Sequence, residues 1–244
     1  MFHFFTKSRQ PITFCFSTDI HAHIIPGIDD GAPVAETSLK LIDAMHHMGI
    51  DTIFASPHIA EGAFENTRTS ITTAYETLMA ALNRTGRTDV AIKCHAENRI
   101  DNMLLENISR TAVPTLPDGY ALIENSFIQE PWNLEQLIFD MQVKGYRPIL
   151  AHPERFSYYD MRRLKKLHER IPFQINMLSF AGYYGKDICR KAVMLAREGF
   201  ADFLGTDIHS MRHIDCLRHY LTTSDAKRHR AVLERIVRND IFNI

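Results

Sequence analysis

Short apolar segments recur along the chain, and most of them end at a histidine or an acidic residue. We predict strands over residues 14–19, 52–56, 90–95, 120–124, 148–152, 173–177 and 202–206. Helical spacing of apolar residues fills the stretches 35–48, 69–83, 133–144, 161–170, 187–198 and 225–239, and a glycine follows several of them. Strands that alternate with helices favour parallel pairing with right-handed crossovers. The pattern predicts an α/β fold whose strand ends converge on one site.

The length and composition suit one domain over residues 1–244. The chain has 244 residues, of which 45% are hydrophobic, and this is near the usual size of an α/β barrel. The apolar run at the N-terminus is too short for a signal peptide, and residues 1–13 are predicted to form an N-terminal arm. No segment approaches the ~20 apolar residues that a membrane helix needs. We therefore expect a cytoplasmic protein without membrane insertion.

Charge and cysteine content exclude further classes of protein. The 28 Lys and Arg residues nearly balance the 29 Asp and Glu residues, so no overall field attracts nucleic acid or an anionic membrane. The cysteines show no C-x-x-C spacing and lie in or beside apolar segments, which favours buried free thiols over disulfides. They are Cys15, Cys94, Cys189 and Cys216.

Nine side chains of metal-binding type lie at or just beyond the predicted strand ends. They are His21, His23, Asp30, His58, Glu97, Glu124, His152, Asp207 and His209. His21 and His23 are two positions apart on an extended segment, so both imidazoles point to one side. Mixed imidazole and carboxylate ligands suit Zn, Mn and Fe, and bridging carboxylates hold ions roughly 3.5–4 Å apart. The set exceeds the needs of one tetrahedral ion and predicts two or three ions.

Each candidate ligand has an ordinary structural alternative. Glu97 or Glu124 could cap a helix or pair with an arginine, and His58 could be a loop residue. The placement of all nine at strand ends favours the metal interpretation. We assign His46, His47, His168, His219 and His229 to helix surfaces, and Cys94 to the core.

Several runs of residues resemble a known family. They are Asp19-Ile20-His21-Ala22-His23, Ile25-Pro26-Gly27-Ile28-Asp29-Asp30-Gly31, Ser56-Pro57-His58, Tyr120-Ala121-Leu122-Ile123-Glu124, Ala151-His152-Pro153-Glu154-Arg155-Phe156 and Thr206-Asp207-Ile208-His209. Together they resemble the bacterial capsule and exopolysaccharide protein-tyrosine phosphatases (CpsB/CapC-like) of the polymerase and histidinol phosphatase (PHP) superfamily. The match runs in order from about residue 18 to residue 210. Many metallohydrolases share the first run, whereas the second and fifth together are much more specific.

The resemblance implies a distorted (β/α)7 TIM-like barrel, the PHP barrel, with two to three divalent ions. Manganese is the usual metal, with Fe, Zn and Mg as alternatives. The implied ligands of one ion are His21, His23, Glu97 and Asp207. Glu97 would bridge to a second ion, held by His58 and His152. The implied ligands of a third ion are Asp30, Glu124 and His209.

The resemblance also implies catalytic roles and a substrate. Arg155 would bind the phosphoryl oxygens, and Asp19 would orient a ligand histidine. His209 could assist as a second catalytic residue, although the sequence does not identify the general acid. The usual substrate of the family is phosphotyrosine in the tail of a bacterial tyrosine autokinase that controls polysaccharide polymerisation and export.

Two other functions stay open at the level of sequence. One is a small-molecule phosphomonoesterase of the histidinol-phosphate type with the same metal site, and the other is a non-catalytic protein that binds a partner. Aromatic residues beyond the strand ends could pack on a phosphotyrosyl ring, and these residues are Phe64, Phe127, Trp132, Phe156, Tyr158 and Tyr159.

Cysteine spacing excludes a thiol-based phosphatase. Such an enzyme needs a cysteine and an arginine separated by five residues around an anion-binding loop. Only four residues separate Cys94 from Arg99, and Ile100 occupies the required position. The matching positions after the other cysteines hold His21, Leu195 and Thr222. We therefore expect metal-activated water rather than a covalent thiol intermediate.

Overall fold

The computed structural model describes residues 13–87 and 89–242, in which parallel strands alternate with helices. The strands are β1 (Thr18–Ala22), β2 (Thr52–Ala55), β3 (His58–Ile59), β4 (Ala91–Cys94), β5 (Glu97–Arg99), β6 (Tyr120–Glu124), β7 (Arg147–Ala151), β8 (Phe173–Asn176) and β9 (Phe203–Gly205). The helices are α1 (Ala35–His47), α2 (Arg68–Arg84), α3 (Asn102–Ser109), α4 (Leu134–Val143), α5 (Met161–His168), α6 (Met177–Phe180), α7 (Lys186–Arg197), α8 (Met211–Leu221) and α9 (Ser224–Ile236). The predicted α/β fold with parallel pairing is confirmed.

The observed strands differ from the predicted ones at two kinds of place. β3 and β5 have no predicted counterpart, because two and three residues are too few to show a periodic pattern. β1 begins at Thr18, so the predicted start at Phe14 is wrong. Phe14 and Phe16 stack on each other at 5.2 Å and belong to the core beneath the helices. Their apolar alternation therefore reflects packing against helices and not a sheet.

The six predicted helices lie within three residues of their predicted bounds, and α3, α6 and α8 are additional. α3 buries only Leu104 and Ile108, which gives one turn of apolar spacing. The Asp101 carboxylate caps this helix by accepting from the Leu104 N–H at 3.2 Å. α6 has four residues, too few for a periodic pattern.

The strands form two sheets whose edges meet. One sheet has the order β1-β2-β4, and the other has the order β3-β5-β6-β7-β8-β9. Two residues separate β2 from β3, and two separate β4 from β5, so the chain passes from one sheet into the other twice. At the opposite edges, Asp207 N–H donates to the His21 carbonyl at 2.8 Å, and His23 N–H donates to the Ile208 carbonyl at 2.9 Å. The strands therefore curl so that the first lies beside the last.

Apolar residues fill the space enclosed by the curled strands. Phe54 and Phe203 point into this space from β2 and β9. Phe242 follows the last helix and packs against Phe54, Tyr120 and Phe203, with ring centroids 6.0, 5.4 and 5.3 Å away. Tyr120 and Phe203 open their strands, so Phe242 closes the amino end of the sheet. The carboxyl end is left for polar side chains.

Some predictions on termini, thiols and histidines are refined by the structure. The predicted N-terminal arm over residues 1–13 lies outside the described residues except for Thr13. Among the described helices, none combines the length and apolar character needed to cross a membrane. All four thiols are free, as predicted, but they are half-buried. His47 and His219 are exposed, whereas His168 is half-buried and contacts Asp202 Oδ2 at 2.7 Å. His46 and His229 are half-buried as well.

Candidate metal centre

The carboxyl ends of the strands surround a cavity of about 500 Å³. All nine candidate ligands from the sequence lie in its wall or under its floor. Those in the wall are Asp30, His58, Glu97, Glu124, His152, Asp207 and His209. His21 and His23 are fully buried beneath them. In the described part of the chain, the groups of three or more metal-binding side chains whose ligand atoms converge draw only on these nine residues.

Four atoms face one another at the floor of the cavity. His21 Nε2 lies 3.2 Å from His23 Nε2 and 3.2 Å from Glu97 Oε2. His23 Nε2 lies 3.4 Å from Glu97 Oε2, and Asp207 Oδ1 lies 3.4 Å from both Nε2 atoms. A tetrahedral ion with bonds of about 2.0–2.2 Å separates its ligands by about 3.3–3.6 Å, and these five distances are close to that spacing.

The far nitrogens of the two floor histidines fix their tautomers. His21 Nδ1 donates to Gln174 Oε1 at 2.8 Å, and Gln174 Nε2 donates to Asn176 Oδ1 at 3.0 Å. His23 Nδ1 donates to Asp29 Oδ2 at 2.9 Å. A metal-bound imidazole is neutral and carries one proton, so with that proton on Nδ1 each Nε2 offers its lone pair to a cation between the two rings. Outer partners of this kind are usual for metal-bound histidines.

Glu97 connects the floor to the wall of the cavity. Its Oε2 lies 3.0 Å from His58 Nδ1, and its Oε1 lies 2.9 Å from His152 Nε2. Buried Glu97 Oε2 receives no hydrogen bond within the described residues. Glu124 Oε1 lies 3.5 Å from the same His152 nitrogen. Burial raises the pKa of Glu124, and the negative charge of Glu97 raises it further, so this pair of carboxylates favours a bound cation.

A third set of ligand atoms lies nearer the mouth. Asp30 Oδ1 is 3.5 Å from His58 Nε2 and 3.4 Å from His209 Nε2. His209 Nδ1 donates to the Asp207 carbonyl at 2.9 Å, which leaves its Nε2 lone pair for a cation. Glu124 belongs to a different group of convergent atoms. The structure therefore does not bring Asp30, Glu124 and His209 together as one set, unlike the grouping that the resemblance implies.

Arg155 covers the floor cluster from one side. Its Nη1 donates to Asp207 Oδ2 at 2.9 Å. Its guanidinium carbon lies 4.7 Å from the centre of the Phe127 ring and 4.2 Å from that of Tyr184. Glu154, the adjacent carboxylate, instead accepts hydrogen bonds from Asn176 N–H and the Ser179 hydroxyl. The two rings and Asp207 thus hold Arg155 toward the cavity.

The sequence of this chain is similar to those of known proteins. A family model described as capsular polysaccharide synthesis, CpsB/CapC, matches residues 17–238. The chain belongs to the CpsB/CapC family. Tyrosine-protein phosphatase YwqE of Bacillus subtilis (strain 168) is 31% identical over 204 residues, which cover 80% of this chain and 78% of YwqE. Tyrosine-protein phosphatase CpsB of Streptococcus pneumoniae is 25% identical over 203 residues, with 79% and 83% covered.

A solved structure extends the relationship to the fold. It comes from work on YwqE of Bacillus subtilis and CpsB of Streptococcus pneumoniae, described there as unique metal-dependent tyrosine phosphatases. The TM-score is 0.74 at 27% identity, and the match covers 91% of this chain and 95% of the other.

In this CpsB/CapC protein, two candidate ligands adopt left-handed backbone conformations. His152 directly follows β7 with φ 33°, and Asp207 lies two residues beyond β9 with φ 53°. Residues other than glycine seldom adopt such angles, and those that do concentrate at functional sites. Both side chains are thereby turned from the strand direction toward the cavity.

Two glycines let backbone segments approach the floor histidines. A Cβ on Gly31 would lie 2.2 Å from the His23 carbonyl oxygen, and one on Gly205 would lie 2.6 Å from His21 Cβ. Side chains at these positions would displace the histidines. Gly31, which lies in the run that resembles the family, is therefore explained by its close packing against His23.

Residues that support the site include two that the sequence analysis did not assign. Gln174 holds His21, and Asp29 holds His23 while also accepting from the His58 N–H at 3.2 Å. Asp29 stands next to Asp30 in the family run and could have been suspected there. Nothing local to Gln174 marks it, because its partner lies 153 positions away.

Asp19 acts on the main chain rather than on an imidazole. Its Oδ1 accepts from the N–H groups of His21 and Thr206 at 3.1 and 3.0 Å. Asp19 therefore contacts the candidate ligand His21 through its main chain, and a role of Asp19 in orienting that histidine stays a prediction. Burial raises the pKa of Asp19 to about 6, against the lowering effect of the Thr206 hydroxyl. Asp19 ties β1 to the end of β9.

Further side chains line the cavity without having been assigned from sequence. They include Arg99, Tyr184 and His213. Of the predicted aromatic residues, Phe64 and Phe127 line the cavity. The other four do not: Phe156 and Tyr159 are buried, Tyr158 is half-buried, and Trp132 is 95% exposed.

Proposed function

We propose that this CpsB/CapC family member is a metal-dependent protein-tyrosine phosphatase that hydrolyses phosphotyrosine in a phosphoprotein. The observation that carries the proposal is the convergence of two histidine Nε2 atoms with the Glu97 and Asp207 carboxylates under an open cavity. The names of the relatives support the same reaction. We further propose that the phosphoprotein is a bacterial tyrosine autokinase of capsule or exopolysaccharide synthesis, and that the reaction takes place in the cytoplasm.

The observed distances support three ion positions in the cavity. The proposed sets are His21, His23, Glu97 and Asp207 for the first ion, Glu97, Glu124 and His152 for the second, and Asp30, His58 and His209 for the third. Glu97 would bridge the first two ions. Mn is the proposed metal, although the same nitrogen and oxygen ligands also accept Fe, Zn and Mg.

Bound divalent ions would supply Lewis acidity, both to activate water and to neutralise phosphoryl charge. Arg155 is proposed to bind phosphoryl oxygens with the N–H groups that Asp207 does not use. Phosphoryl transfer depends mainly on such charge stabilisation and positioning. Phe64 and Phe127, both in the cavity wall, are proposed to pack on the phosphotyrosyl ring.

We propose that the main role of His209 is to bind a metal ion. Its Nδ1 is occupied by the Asp207 carbonyl, and its Nε2 faces Asp30. Assistance to the departing tyrosine by this imidazole stays a prediction. A pH profile of kcat for His209→Gln, measured with a leaving group of low pKa and one of high pKa, would test it.

The thiols support a mechanism without covalent catalysis. Burial raises the pKa of Cys15 to about 11 and that of Cys94 to about 12. Both are therefore protonated at neutral pH and poorly nucleophilic. Neither lines the cavity.

We propose that the sheets form a distorted (β/α)7 barrel of the PHP type within a single domain over residues 1–244. β2 and β3 would count as one interrupted strand, as would β4 and β5, which reduces nine observed strands to seven positions in the described part of the chain. The hydrogen bonds between the β1 end and the segment after β9 support closure.

A comparison of substrates tests the function. Mn-loaded protein should hydrolyse a phosphotyrosyl peptide and p-nitrophenyl phosphate, with kcat/KM on the peptide above that on histidinol phosphate. A preference for histidinol phosphate would assign the protein to small-molecule phosphomonoesterases. Metal-loaded protein that hydrolyses none of the three would contradict an enzymatic role and favour a partner-binding protein.

A further inference from the structure

Three large apolar side chains on one loop face solvent beside the cavity. The loop joins β6 to α4 and carries Phe127, Ile128 and Trp132, which are 46%, 86% and 95% exposed. Phe127 also lines the cavity and stacks on His152, with ring centroids 5.9 Å apart. Clustered apolar exposure of this kind marks binding surfaces. The apolar loop (Phe127, Ile128 and Trp132) is therefore continuous with the candidate active site.

Hydrogen bonds to one backbone carbonyl and one side chain tie this loop to the rest of the protein. The Tyr158 hydroxyl donates to the Ser126 carbonyl at 2.7 Å. Arg163 donates through Nε and Nη2 to the two Glu130 carboxylate oxygens at 2.9 and 2.7 Å. Bidentate pairs of this type fix geometry as well as charge. An apolar loop fixed on both sides of Ile128 loses little conformational entropy when a ligand binds.

Arg99 supplies a cation on the neighbouring strand. It ends β5, and its Cα is paired in register with Glu124, just before the apolar loop. The Arg99 side chain lines the cavity and is half-buried. Its guanidinium has no acceptor among the described residues. A guanidinium with free N–H groups at a ligand cavity favours a planar carboxylate or a phosphate.

We propose that Arg99 and the apolar loop bind the polypeptide that flanks the phosphotyrosine, and select a carboxylate and a large aliphatic side chain beside it. This inference rests on the proposed phosphatase function. Arg155 already lies over the floor cluster and serves the phosphoryl group, which leaves Arg99 for a second anion of the substrate. Ile128 and Trp132 lie outside the cavity lining, so they meet residues next to the phosphotyrosine rather than its ring.

Four phosphotyrosyl peptides test this selection. Each peptide combines Glu or Gln with Leu or Ser, and the same pair of residues stands on both sides of the phosphotyrosine. The four peptides are otherwise identical. Mn-loaded wild-type protein should show a kcat/KM about tenfold higher on the Glu/Leu peptide than on the Gln/Ser peptide, equivalent to about 1.4 kcal/mol. Equal hydrolysis of all four would overturn the proposal while leaving the phosphatase function intact. Failure to hydrolyse any of them would instead contradict the phosphatase function.

Two variants separate the two contacts. Arg99→Gln should lose the preference for Glu over Gln and keep that for Leu over Ser. The double variant Ile128→Ser/Trp132→Ser should show the reverse pattern. Val143→Ser, which changes an apolar residue 68% exposed on α4, is the matched control and should keep both preferences. If Arg99→Gln lowered kcat/KM on p-nitrophenyl phosphate and on every peptide by one common factor, Arg99 would belong to the phosphoryl site and the proposal would be wrong.

Discussion

Arg155 and Asp207 are joined by a 2.9 Å hydrogen bond from Nη1 to Oδ2, although they lie 52 positions apart in sequence. The other oxygen of Asp207 faces the floor histidines. One carboxylate thus connects the proposed metal cluster to the proposed phosphate-binding arginine. Oδ2 also accepts from Asn176 Nδ2 at 2.7 Å, so Asp207 keeps a partner if Arg155 is removed.

This arrangement predicts that Arg155→Lys and Arg155→Ala keep metal content and fold but lose activity. Lysine lacks the planar fork that packs between Phe127 and Tyr184. We expect kcat/KM on a phosphotyrosyl peptide to fall by about 10²-fold or more, roughly 2.7 kcal/mol. Arg162→Ala, an exposed arginine on α5, is the control. Wild-type kinetics in Arg155→Ala would remove this residue from the site.

Removal of metal should inactivate and destabilise the protein. Buried carboxylates that face one another are costly when no metal ion lies between them. Chelator-treated protein is expected to lose phosphatase activity and to melt at a lower temperature, and Mn should restore both. Elemental analysis of the protein as purified identifies the native metal. Full activity after complete chelation would rule out the metal mechanism.

Gln174→Leu should weaken metal binding without direct contact to the ion. The substitution removes the acceptor that holds His21 Nδ1 and fixes its tautomer. Loss of such an outer partner typically lowers metal affinity by about 10–100-fold. Competition with a fluorescent chelator measures the change. Gln136→Leu, an exposed glutamine on α4, is the matched control, and equal affinities in the two variants would contradict the role of Gln174.

Cys94→Ser should keep most of kcat. The thiol lies outside the cavity lining, and burial raises its pKa to about 12, so no thiolate is available as a nucleophile. A modest loss through altered packing is compatible with this expectation. A drop of about a thousandfold, with fold and metal content unchanged, would point to covalent catalysis and contradict the metal mechanism.

We predict that Asp202, which lies away from the candidate site, contributes to the loss of stability at acid pH. Although burial, its largest influence, raises the pKa of Asp202, hydrogen bonds from His168 and the Phe173 N–H lower it below the ordinary 3.8. As pH falls, the unfolded chain therefore binds this proton first. The stabilisation is present above about pH 4 and disappears as pH falls through the folded pKa.

Replacing Asp202 should reduce this pH dependence. In metal-free protein, the free energy of unfolding of Asp202→Asn should change less with pH below about 4 than that of the wild type. Denaturant titrations at several pH values measure it. Asp215→Asn, in an exposed position on α8, should follow the wild-type slope. If the free energy of unfolding changed with pH equally in all three proteins, Asp202 would not contribute to acid sensitivity.

The sequence places the candidate ligands well because parallel strands end at a common edge, so chemistry at strand ends can be read one segment at a time. The division of those ligands among the proposed ions cannot be predicted from single segments. Glu124 lies near His152 and belongs to a different group of convergent ligand atoms from Asp30, which depends on the arrangement of separate segments in space. The partner of His21 is equally hard to predict, since Gln174 lies on the buried strand β8 and far from His21 in sequence.

The contact between β1 and the segment after β9 can form only late in synthesis of the chain. Thr206 N–H donates to Asp19 Oδ1 across 187 positions. Ribosomes add about 5–20 residues each second, so the two floor histidines leave the ribosome well before their last carboxylate partner. A nascent chain that stops before Asp207 has three of the four proposed ligands of the first ion and lacks the fourth. Enclosure of that ion is therefore expected only after most of the chain has been synthesised.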